Sequence, residues 1–76
     1  MAVQIRPRAE QSGVQAYSEA LGRWRAAAWL VSERWSAFLT AERESRPGAF
    51  AAYAIALSAE ERAADELALL QLSEAA

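Results

Sequence analysis

From Val14 onward the apolar side chains return every three or four residues: Val14, Tyr17, Leu21, Trp24, Ala28, Val31, Trp35 and Phe38. Alternating steps of three and four place them at successive a and d positions of a heptad repeat, which predicts a long amphipathic helix. Ala20, Ala27 and Leu39 widen the stripe on its flanks, as core-facing helices of bundles require. Ser12 followed by Gln15 has the spacing of a capping box and sets the expected start. Pro47 disfavours helical geometry in the residue before it and Gly48 adds a flexible joint, so the helix is expected to stop near Ser45 or Arg46. A helix over 12–45 would be roughly 50 Å long at about 1.5 Å per residue.

The second half restarts with Pro47, acceptable in a first helical turn. Phe50, Tyr53 and Leu57 mark one face, which Ala64, Leu67 and Leu70 continue. Glu60 falls inside that stripe, a mismatch for one unbroken helix. The alternative is a break at Ser58, where S-A-E-E repeats the capping-box spacing with acidic residues in the first turn. One helix over 48–73 is the preferred reading, with a kink near Ser58 as the variant. Ion pairs four residues apart, Glu19 with Arg23, Glu42 with Arg46 and Arg62 with Glu66, would support the helices by about 0.2 to 0.5 kcal/mol each.

The fold class is therefore all-α, an antiparallel helical hairpin with its turn at 45–48. Two parts are expected, the hairpin domain over 12–76 and an N-terminal arm over 1–11. In the arm Val3, Ile5 and Pro7 alternate with polar residues, a weak strand pattern with no partner strand, so it is read as extended or disordered. Arg8 to Gln11 could already form a first helical turn.

Composition sharpens this picture. Seventy-six residues make at most one domain, and a single core of that size is marginal without a staple or a partner. There is no Cys and no His, which removes disulfides and the usual ligands for zinc and most transition metals. Neither a metal nor another cofactor is expected. The net charge of -2, built with eight Arg and no Lys, supplies no bulk field toward DNA or an acidic membrane. Arg without Lys, beside an alanine content of roughly a quarter, suits a GC-rich bacterial or phage genome. The N-terminus lacks the apolar region of a signal peptide, and the most apolar run, Ala26 to Val31, is far short of the about 20 residues a membrane span needs. The expectation is a cytoplasmic protein with no membrane contact.

Three tryptophans lie within twelve residues, interleaved with arginines, in G-R-W-R-A-A-A-W-L-V-S-E-R-W. At about 100° per residue, with Val31 at the centre of the stripe, Trp24 and Trp35 fall within roughly 40° of it and Trp29 about 160° away. The expected core is Tyr17, Leu21, Trp24, Val31, Trp35, Phe38, Phe50, Tyr53, Leu57 and Leu67, with each indole N–H finding a partner. The seam tryptophans are expected to pack on alanines of the second helix, big against small. Trp29 with Arg25, Leu30 on the opposite shoulder, and Leu69 and Leu72 in the second helix form the candidate interaction surface, because Trp and Arg concentrate at binding hot spots.

No nucleophile with a base is visible, and a carboxylate di-metal site in a bundle needs Glu-x-x-His motifs that this chain lacks. An enzyme is not expected. The glycines at 13, 22 and 48 are scattered, so no phosphate loop is formed. Stacking aromatics with arginines suit single-stranded nucleic acid, but Arg23 and Arg34 diverge from Arg25 and Arg43 around the helix, which disfavours that reading. The expected function is a non-enzymatic interaction or assembly module, a homo-oligomer or a small subunit or accessory protein of a larger complex. The alternative is a small acidic inhibitor, antitoxin-like, that docks a helix on a target.

Overall fold

A computed structural model describes the backbone of residues 8–75 and the side chains of residues 13–72. Helix α1 spans Arg8–Thr40 and helix α2 spans Arg46–Ala75. They run antiparallel: the Gln71 amide donates to the Tyr17 hydroxyl at 3.3 Å at one end, and the Phe38 and Phe50 rings lie 5.6 Å apart at the other. This is the all-α hairpin that the heptad spacing predicts. α2 continues unbroken through Ser58, in keeping with one helix rather than two.

α1 takes the earlier of the two expected starts and ends sooner than expected. The helix begins at Arg8, so Ser12 lies inside it rather than at its start. Arg8, Ala9, Glu10 and Gln11 are all good helix formers, and nothing makes the chain wait for a cap. The expected arm keeps only residues 1–7, which lie outside the described residues. At the other end α1 stops at Thr40, not near Ser45. The Ala41 amide turns back to the Phe38 carbonyl at 3.2 Å, a tightened last turn. The Thr40 hydroxyl donates to the carbonyls of Ser36 and Ala37 at 3.2 and 3.4 Å.

The reversal then uses residues 41–45 rather than 45–48. The Ser45 amide donates to the Glu42 carbonyl at 2.9 Å, and the Ala49 amide donates to the Ser45 carbonyl at 2.9 Å. Ser45 is thus the residue whose carbonyl accepts the first bond of α2. Pro47 falls in the first turn, where a missing N–H costs nothing. Gly48 lies within the helix and has no positive φ, so it is not the flexible joint expected. Propensity alone would carry α1 onward through Ala41, Glu42 and Arg43. Stopping at Thr40 is what brings Phe38 level with Phe50, and tertiary packing overrides local preference.

The seam between the helices is narrow. Among the described residues only Ala20 and Ala56 are buried, at 0 and 4 % exposure. Of the residues expected in the core, Tyr17, Leu21, Trp24, Val31, Phe38, Tyr53, Leu57 and Leu67 are half-buried, whereas Trp35 and Phe50 remain exposed. On α2 the inner positions are small, with Ala52, Ala56, Ala63 and Ala64 buried or half-buried. The radius of gyration is 18.2 Å, against about 11 Å for a compact globule of this length.

Gly22 lies inside α1 with open space where a Cβ would stand and without a positive φ. Glycine there loses backbone entropy with no steric return. Gly22→Ala is expected to stabilise the chain by about 0.5 to 1 kcal/mol, read as an upward shift in the thermal midpoint of helicity.

Candidate interaction surface

Three cross-helix polar contacts fix how the two helices face each other. The Arg23 guanidinium donates to Glu66 Oε1 through Nη2 at 2.7 Å and through Nε at 3.0 Å. The Trp24 indole N–H donates to Glu60 Oε2 at 2.9 Å. Gln71 reaches Tyr17 as described above. Glu60, which looked misplaced in an apolar stripe, is therefore the partner that a half-buried indole needs. Arg23 and Glu66 do not use the neighbours four residues away on their own helices, and among the described residues Arg23–Glu66 is the salt bridge present. The expected pairs Glu19–Arg23, Glu42–Arg46 and Arg62–Glu66 are not formed. A cross-helix carboxylate held at two nitrogens wins over a solvated pair on one helix.

These contacts also divide the hairpin into two broad faces. At about 100° per residue, Arg23 and Arg34 of α1 share one face with Arg62 and Glu66 of α2. Between the helices on that side runs an open groove of about 450 Å³ whose lining includes Arg23, Ala27, Arg62, Ala63 and Glu66. The opposite face takes its character from two rows spaced by seven residues. From α1 come Val14, Leu21, Ala28 and Trp35, and from α2 come Phe50, Leu57, Ala64 and Gln71. Neither row contains a charge. The heptad stripe of α1 has thus split: Tyr17, Trp24, Val31 and Phe38 are the half-buried row against α2, while Val14 is 68 % and Trp35 42 % exposed.

At the turn end the open face carries an aromatic cluster. Trp35 lies 5.4 Å from Phe38, with planes 30° apart, and 5.0 Å from Tyr53. Phe50 lies 6.1 Å from Tyr53. Separations of this kind are attractive for aromatic pairs. The cluster is uncovered on its outer side, since Phe50 is 51 % and the adjoining Leu39 61 % exposed.

The candidate interaction residues do not form one patch. Trp29, at 64 % exposure, stands on the side of α1 turned away from α2. Leu69 and Leu72 are exposed on the far side of α2. Leu30 is half-buried and Arg25 exposed, on opposite flanks of α1. What sequence reasoning missed is the joint exposure of Val14, Trp35, Leu39 and Phe50. The signal is the strict seven-residue spacing at 14, 21, 28 and 35, a row whose two ends, Val14 and Trp35, stay exposed while Leu21 and Ala28 are half-buried.

Among the described residues no three acidic side chains converge on a point that could hold a metal ion, and no helix is long and apolar enough to cross a membrane. In comparisons with known proteins, the chain matches no family model, no curated relative and no solved structure.

Glu60→Ala leaves the half-buried Trp24 N–H without its carboxylate. It is expected to lower stability by about 1.5 to 3 kcal/mol, the range for a hydrogen bond to a charged group, whereas Glu60→Gln retains an acceptor oxygen and part of that stability. Urea unfolding followed by tryptophan fluorescence checks both.

Proposed function

We propose that this chain is a non-enzymatic protein–protein interaction module, a small helical subunit or accessory component of a larger assembly. The observation that carries the proposal is the charge-free pair of rows on one broad face, on which Val14, Trp35 and Phe50 stand exposed beside the row of α1 that packs on α2. A monomer in water rarely leaves an apolar face of this extent uncovered. The chain supplies no His, Cys or Lys for nucleophilic or acid–base chemistry, and its structured side chains are used to hold two helices in register. Binding is the activity that such a surface supports.

Area gives the same reading. The chain exposes 6239 Å², whereas a compact monomer of 8.3 kDa exposes about 4,600 Å². The excess is roughly twice the about 800 Å² that each partner contributes to an interface of standard size.

A module of this kind depends on its partner for stability. Urea unfolding of the chain at high dilution, followed by far-ultraviolet circular dichroism, is expected to give no more than about 3 kcal/mol. A dilute monomer as stable as an ordinary domain, about 5 to 15 kcal/mol, would need no covering surface and would overturn the reading.

A further inference from the structure

We infer that the partner on the open face is a second copy of this chain, and that the two hairpins close a four-helix bundle about a twofold axis parallel to the helices. The inference rests on the interaction-module reading and specifies its partner. A self-complementary surface is what an isologous dimer requires, and the face is one in composition: two parallel rows without charge, each rich in side chains that interdigitate, aromatic and leucine against alanine. Doubling the hairpin gives each helix a second neighbour, which the two apolar rows of α1 demand.

The rims of the face choose the arrangement. Arg25 borders it along α1 and Glu61 borders it along α2, both exposed. The Trp24–Glu60 bond and the Arg23–Glu66 pair set the relative height of the helices and put Arg25 and Glu61 at nearly one level. With the axis parallel to the helices, α1 of one copy lies beside α2 of its partner, and the opposite charges meet twice in each dimer. With the axis perpendicular, α1 lies beside α1 and like charges share a rim, an unfavourable pairing. Either axis makes every neighbouring pair of helices antiparallel, the up-down order of simple bundles, so the rim charges decide between them. Trp29, four residues from Arg25, stands one turn further along the same rim, where the second copy's α2 is the surface nearest to it.

Sedimentation equilibrium on the full chain tests this. Wild type is expected to be a dimer that dissociates on dilution. Arg25→Glu and Glu61→Arg, both at exposed positions, are each expected to raise the dissociation constant roughly tenfold through two repulsive rim pairs, and the double variant is expected to return to within about threefold of wild type. A monomer at every concentration, or any stoichiometry other than two, overturns the second copy as partner; if that monomer is also marginal in urea, the interaction-module reading stands without it. A dimer in which the single reversals have no effect, or in which the double is no better than either single, overturns the parallel-axis arrangement.

Discussion

A helix with two apolar rows needs two neighbours, and a hairpin supplies one. That constraint governs everything else in this chain. α1 turns the Tyr17, Trp24, Val31 and Phe38 row onto α2 and leaves the Val14, Leu21, Ala28 and Trp35 row at its edge, with Leu21 and Ala28 half-buried and Val14 and Trp35 exposed. On α2 the matching row has Leu57 and Ala64 half-buried and Phe50 exposed. Both rows fall on one side because the helices are antiparallel. The result is a thin, elongated body, 66 × 29 × 12 Å, with only two alanines buried among its described residues. Two helices of this length enclose little core, which leaves the hairpin close to the limit of stability for its size.

The small residues of α2 raise a second problem, because Ala49, Ala56 and Ala63 offer nearly the same surface at each heptad and the helices could slide past one another. Polar contacts prevent it. Trp24 with Glu60, Arg23 with Glu66 and Tyr17 with Gln71 are satisfied together only in one register. Each is modest in energy. Their joint effect is to define alignment, while the ring stack of Trp35, Phe38, Tyr53 and Phe50 anchors the turn end. The same register brings Arg25 and Glu61 level on opposite rims, so alignment inside the hairpin also positions its surface.

Much of this fold is legible in the sequence, and the parts that are not share a cause. Heptad spacing identifies both helices, the antiparallel return and the inward row, and α2 runs through Ser58 because alanine-rich flanks give no reason to stop. The end of α1 is illegible because it is set by Phe38 meeting Phe50, twelve residues further on and beyond the reach of local propensity. Glu60 reads as an error until Trp24 is placed opposite it. The ion pairs read from spacing fail because Arg23 and Glu66 find better geometry across the seam. Pattern places Trp29, Leu69 and Leu72 on the outside, where they stand exposed, but it assigns Trp35 and Phe50 to the core, and their exposure shows only once α2 is in place.

If a second copy covers the open face, the Arg23–Glu66 face stays bare. Hydroxyl-radical footprinting of the unmodified chain over a dilution series, read residue by residue by mass spectrometry, distinguishes the two faces. Trp35, Leu39 and Phe50 are expected to become protected as concentration rises, while Ile55 and Leu69 stay reactive throughout. Equal labelling of Trp35 and Leu39 at every concentration, or protection that falls on Ile55 and Leu69 instead, would contradict cover of the open face by a second copy.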